Sequence, residues 1–303
     1  MSLKISIDRR KRLQLSENLF SKALFVFAAV TVLTTVGIVL TLLVNSIQFF
    51  RQVSVFDFLT GTEWSPLFAD ARFGVLPLVF GTFIVAIGAA VIALPIGLLS
   101  AVYLSEYAAP KVRKVVKPVL EILSGIPSIV YGFFALTSIT PILQKIIPAT
   151  NIYNAASASI AIGIMTIPLV ASLSEDAMTA VPDTYRHGAY ALGATKLEVV
   201  VRVVLPAAVS GIMASFILAV SRAIGETMIV ALAAGSKPSM SLNPLQSVQT
   251  LTGFIAQASM GDNPFGTLPY YALYAVGFLL FLLTLLMNIL SRRIIHKQEV
   301  RRG

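Results

Sequence analysis

Residues 181–227 read VPDTYRHGAYALGATKLEVVVRVVLPAAVSGIMASFILAVSRAIGET, a polar loop that runs without interruption into a hydrophobic span. In the loop, Asp183 follows Pro182 and is placed to cap a first short helix, with Tyr185, Ala189 and Leu192 on one face and Arg186 and His187 off it. Gly193 ends that helix, because glycine adopts a left-handed C-terminal turn at little cost. Thr195 with Glu198 spells a capping box that starts a second helix, and Pro206 marks the junction with the span. The span then carries Arg222 and Glu226. Charges inside an apolar span are costly and by default mark a functional site.

Composition says what surrounds this stretch. Of 303 residues 56% are hydrophobic and 12% charged, about half the charged fraction of an ordinary soluble domain. The reading is an all-α integral membrane protein with six transmembrane helices. The chain has no cysteine, which excludes disulfides, thiolate metal sites and cysteine nucleophiles. Two histidines, His187 and His296, make no metal centre, and no cofactor is implied.

A net charge of +9 could point to nucleic acid, but its distribution points to topology. With six spans, only Arg51, Arg72, Lys145 and Lys237 of the 23 Lys and Arg residues fall on one side, and Arg222 lies within a span. All the others share the opposite side. Positive loops stay cytoplasmic, so both termini are expected inside a bacterial inner membrane, and no nucleic-acid partner is expected.

The expected order is a cytoplasmic basic N-terminus (1–22), a first span (23–45) that is not a cleaved signal, a periplasmic segment (46–73), a core of five spans (74–292) and a basic cytoplasmic tail (293–303). The loop 174–206 lies within the core. In the periplasmic segment Trp64 reads as an interfacial anchor or as part of a docking surface for another protein. EYAAPKVRKVVKP (106–118) reads as a basic cytoplasmic turn. SGIPSIVYGF (124–133) clusters Ser124, Gly125, Pro127 and Ser128, a composition that serves close helix packing or a broken helix beside a wet cavity. QTLTGFIAQASM (249–260) reads as a short helix lying at the outer surface. No phosphate-cradling ATP loop is present, so energy for any active process comes from another chain.

Arg222 and Glu226, four apart, are expected on one helix face. They form either a mutual salt bridge or an oxyanion site, in which the planar guanidinium fork matches phosphate or carboxylate oxygens and Glu226 steadies it or takes a proton from the anion. Ser221 and Thr227 add hydroxyls nearby. No serine, histidine and acid sit at one depth, so the chain is not read as an enzyme.

RHGAYALGATKLEVVVRVVLP (186–206) resembles the EAA motif of ABC-importer permeases, with Gly193, Leu205 and Pro206 at the family's spacing. SGIPSIVYGF, the run from GIMTIPLVASLSEDAM to VPDTYR, and SRAIGET resemble the phosphate permeases. FLTGTEWSPLF (58–68) followed by FGVLPLVFGT (73–82) is similar to the PstC type and not to its PstA-type sister. The resemblance implies a type I ABC importer permease fold and a phosphate-importing subunit. Its partners would be a PstA-like sister permease, two PstB-like cytoplasmic ATPases and a PstS-like periplasmic phosphate-binding protein. It implies substrate contacts at Arg222 and Glu226, with Thr227 and Ser128 beside them, and ATPase coupling by Tyr185, His187, Gly188, Ala189, Leu192 and Gly193. His187-Gly188-Ala189 stands where the family has Glu-Ala-Ala, which weakens the helix by about 1 kcal/mol at the glycine. The alternatives are a permease for sulfate or molybdate, or an ion-coupled secondary transporter with Glu226 as proton carrier.

Overall fold

The computed structural model describes residues 2–68, 70–261 and 263–300; the end of the basic tail, with Arg301 and Arg302, lies outside them. Six helices are long and apolar enough to cross a membrane: Phe20–Phe50, Leu76–Tyr107, Ser128–Ile146, Ala155–Thr179, Lys196–Gly225 and Leu268–Leu290. The described residues form no strand, only an isolated antiparallel bridge between Trp64 and Phe73. In chain order the elements are α1 (Ser2–Phe50), α2 (Val55–Thr60), α3 (Leu76–Val102), α4 (Pro110–Ser124), α5 (Ser128–Phe134), α6 (Thr140–Ile146), α7 (Ala155–Thr179), α8 (Asp183–Ala191), α9 (Lys196–Val199), α10 (Leu205–Gly225), α11 (Leu251–Met260) and α12 (Leu268–Val300).

The centre is α3 against α7, and small residues set their separation. Ala86, Ala89, Ala155, Ala158, Ala161 and Ile162 are fully buried there, and a Cβ at Gly88 would meet Ser159 Oγ at 2.5 Å. Membrane helices gain little hydrophobic energy from one another, so close backbone approach and internal hydrogen bonds hold them. Ser159 Oγ donates to the Val85 carbonyl at 3.2 Å across this contact.

Three expectations are corrected. The basic stretch after the second span is no turn: Pro110 opens α4, a helix of 15 residues with Pro at its start, where its missing N–H costs nothing. Trp64 is not an interfacial anchor. It is 5% exposed and lies among Phe58, Phe73 and Phe254, whose ring centroid is 4.9 Å away at near-perpendicular tilt. The short helix expected in 249–260 forms as α11, with its first turn, Leu251 to Phe254, buried and its end exposed at Met260. The fifth span starts at Lys196 and not after Pro206: α9 runs through a π-helical turn, Val200–Val204, into α10. Pro206 accounts for the wide turn, since its ring clashes with the carbonyl four residues back.

The helices break at two places. One, Gly125–Pro127, lies between α4 and the third span, which opens with α5. The other, Glu226–Thr227, ends the fifth span, after which residues 228–234 form a short second arm. These arms touch: a Cβ at Gly132 of α5 would lie 3.1 Å from Ile229 Cα and 3.2 Å from the Met228 carbonyl, so a larger residue would press the two arms apart by a few tenths of an ångström. The broken composition of SGIPSIVYGF is therefore a real break, and it packs against a second one.

Candidate functional site

Arg222 sits on the last turn of α10 and is exposed. Its neighbours Ala219 and Ala223 pack level with Ala89 and Ala93, near the middle of the second span. Among the described residues it makes no ion pair. The expected pairing with Glu226 on one helix face fails for a local reason: the helix ends at Gly225, and Glu226 takes an extended backbone conformation (φ −66°, ψ 128°). Its side chain turns the other way. Glu226 Oε1 accepts from the backbone N–H of Met228 at 3.1 Å and of Ile229 at 3.3 Å, capping the second arm. Glu226 is 8% exposed and committed to the break.

Thr227 is half-buried, and its hydroxyl donates to the Gly225 carbonyl at 3.2 Å. Ser128 is half-buried at the start of α5. One turn further on, the Tyr131 hydroxyl reaches back over the other break to the Leu123 carbonyl at 3.0 Å, close enough to Arg222 to feel its charge. Ser221 Oγ is buried without a partner. The structure thus gathers Arg222, Glu226 and Thr227 at one break and brings α5, with Ser128 and Tyr131, against it. An exposed guanidinium on the last turn of a membrane span, with no carboxylate partner among the described residues, calls for an anion or a polar cavity.

The loop region lies about 40 Å along the same helix, taking 1.5 Å per residue from Lys196 to Arg222. Two of its three expected caps form. Asp183 is the first residue of α8 and not its cap, which is Pro182, and no side-chain cap bond forms there; its Oδ1 takes Arg186 instead. Gly193 has φ +85°, its N–H donates to the Tyr190 carbonyl at 2.9 Å, and the Ala194 N–H donates to the Ala189 carbonyl at 3.2 Å. That pair of bonds is a Schellman turn. Thr195 and Glu198 form the reciprocal capping box. The common face expected for Tyr185, Ala189 and Leu192 divides: Ala189 packs inward on Met178 and Val181, while Tyr185 is 62% and Leu192 90% exposed. His187, Gly188 and Gly193 are exposed with them.

Several residues here escaped the sequence reading. Arg186 Nη2 donates to Glu106 Oε1 at 2.9 Å and to the Met178 carbonyl at 2.8 Å, and its Nη1 donates to the Val181 carbonyl at 2.6 Å and to Asp183 Oδ1 at 3.1 Å. It ties α8 to the end of the second span. Glu175, 1% exposed, is paired with Arg113 and with Lys117 Nζ at 2.7 Å, and Lys117 also reaches Asp176 Oδ1 at 2.5 Å. Burial lowers the Lys117 pKa, but the hydrogen bonds and charges of Asp176 and Glu175 outweigh it, so the net shift is upward. The acids of SLSEDAM opposite the cations of KVRKVVK were a visible signal for this clasp. Among the described residues no group of three or more potential ligands could hold a metal ion.

Residues 93–299 match the family of binding-protein-dependent transport system inner membrane components. A probable ABC transporter permease protein, YqgH, of Bacillus subtilis (strain 168) is 33% identical over 97% of this chain and 96% of its own. Phosphate transport system permease proteins PstC are 32% identical in Haemophilus influenzae, over 95% of both chains, and 30% identical in Mesorhizobium japonicum, over 97% and 94%. A chain of a bacterial alginate ABC transporter superimposes with a TM-score of 0.62 at 15% identity, covering 89% of this chain and 95% of that one. An inward-facing MetNI methionine ABC transporter chain gives 0.56 at 22% identity, covering 74% and 94%. The chain belongs to the binding-protein-dependent transport system inner membrane component family, has the type I importer permease fold, and is a multi-pass permease component of an ABC importer.

Proposed function

We propose that this permease carries inorganic phosphate inward, with Arg222 as the residue that meets the anion. The observation that carries the reading is the exposed guanidinium on the last turn of α10 that no carboxylate among the described residues neutralises, in a chain about a third identical to phosphate permeases. Phosphate suits a planar two-pronged donor, and Thr227 and Ser128 offer hydroxyls beside it. Glu226 serves this site by shaping the break and not by touching the arginine.

The complex is completed by a PstA-like sister permease, which supplies the other wall of the path, two PstB-like ATPases and a PstS-like binding protein. The positive-inside distribution puts both termini, α4 and α8 in the cytoplasm and α2 and α11 outside. The exposed row of Tyr185, His187 and Leu192 is then presented to an ATPase groove, while Arg186 holds its base. ATP and the loaded binding protein favour different conformations, and their differential affinities drive alternation between outward and inward states.

The test is reconstitution with candidate ATPase, sister and binding protein, followed by uptake of labelled phosphate against sulfate and molybdate. ATP-dependent uptake of phosphate alone is expected. Preference for another oxyanion would move the substrate assignment, and uptake driven by an ion gradient without ATP would end it.

A further inference from the structure

The break beside Arg222 is not held by the fifth span alone. A helix that stops leaves its last carbonyls in need of donors. Near this end the Ala223 carbonyl takes the Glu226 N–H at 3.3 Å and the Gly225 carbonyl takes the Thr227 hydroxyl, both local. The Glu226 carbonyl instead accepts from Thr252 Oγ1 at 2.7 Å, in a buried contact reaching 26 residues along the chain.

Thr252 lies in the first turn of α11, and that turn is pinned from other directions. The Leu251 N–H donates to Thr82 Oγ1 of α3 at 2.9 Å, and Thr250 Oγ1 accepts the Gly253 N–H at 2.9 Å. Thr82, Thr250 and Thr252 are all under 5% exposed. Beyond that turn, α11 packs Phe254 on Trp64 and contributes Gln257 and Ala258 to a cavity of about 340 Å³, which Ser65, Leu67 and Phe68 help to line. A helix of ten residues thus runs from that cavity to the helix break beside Arg222.

We propose that Thr252 is a positioning residue for Arg222: its hydroxyl, bonded to the Glu226 carbonyl, sets the break and passes displacement of α11 on to the guanidinium. This rests on the reading of Arg222 as the substrate arginine. Valine has nearly the shape of threonine but no donor, so Thr252→Val keeps the packing and leaves a buried carbonyl unsatisfied. The break must then shift to find another donor.

The chain has no cysteine, so Ser221→Cys introduces a single thiol one residue from Arg222, where the native oxygen is buried. In the full complex in proteoliposomes, Thr252→Val is expected to speed maleimide labelling at position 221 at least fivefold. In the same membranes, without the cysteine, it is expected to cut phosphate carried per ATP about tenfold at unchanged abundance. Thr252→Ser, which keeps the donor, should bring both within twofold of the parent. Parental labelling and transport in Thr252→Val, or a serine variant as impaired as the valine, overturns the proposal. If Thr252→Val fails to accumulate, Thr82→Val, which releases the same turn from α3, must show the same two changes or the proposal falls. A parent complex that imports sulfate and not phosphate would remove the substrate reading, while the labelling comparison still decides the role of Thr252.

Discussion

Arg186 and Arg222 sit near opposite ends of the stretch 181–227 and have opposite surroundings. Arg186 is 13% exposed, with two carboxylates and two carbonyls around its guanidinium. Arg222 is exposed, and no carboxylate of the described residues pairs with it. A wrapped arginine is part of a structure. An unwrapped one, at the end of an apolar span, leaves its charge open to an anion or a polar cavity.

The comparison breaks first at Arg186. Arg186→Ala leaves Glu106, itself 6% exposed, as an uncompensated buried charge, a change that costs about 3–5 kcal/mol. Membrane abundance and thermal stability in detergent are expected to fall before any transport defect can be measured, and a protein of normal stability would show that the clasp is dispensable.

Arg222→Lys should show the reverse pattern. Lysine keeps the charge and loses the fork, removing one charge-assisted hydrogen bond or more, so uptake is expected to drop on the order of a hundredfold at normal abundance. Because Glu226 does not pair with Arg222, the double change Arg222→Leu with Glu226→Leu should transport no better than Arg222→Leu alone. Recovery in the double variant would restore the salt-bridge account and collapse the contrast between the two arginines.

A smaller effect is expected at Gly193. A Cβ there meets nothing within 4 Å, so Gly193→Val acts only through its φ of +85°, at a cost of about 1–2 kcal/mol. Phosphate-stimulated ATP hydrolysis should fall while insertion persists; full stimulation would make the loop a mere linker. The smallest change is expected for His187→Glu. His187 is exposed, and such substitutions stay within about 0.5 kcal/mol, so ATPase stimulation should remain within about twofold of the parent or rise. A large loss would show that the imidazole itself makes a contact.

The loop was legible because its signals are local. Gly193, Thr195 and Glu198 act on backbone groups within a few residues, and the Schellman turn and the capping box follow from them, while Asp183 opens α8 without capping it. The six spans were legible for a similar reason, since about 20 apolar residues in a row have few other uses. The face of α8 was misread because helical spacing groups Tyr185 with Ala189 and Leu192 but cannot say which of them meets Met178 and Val181. Trp64 was misread because its partners Phe73 and Phe254 come from different parts of the chain.

By itself the sequence determined the membrane class, the number and order of the spans, the charge asymmetry and the Gly193 and Thr195 caps of the loop, all of which depend on composition or on neighbours along the chain. Tertiary structure decided that the fifth span stops at Gly225, that Glu226 caps the second arm instead of pairing with Arg222, and that Thr252 closes the exposed carbonyl. A helix break is stable only when groups distant in sequence satisfy the backbone it exposes, and no period within residues 222–226 encodes a hydroxyl at position 252.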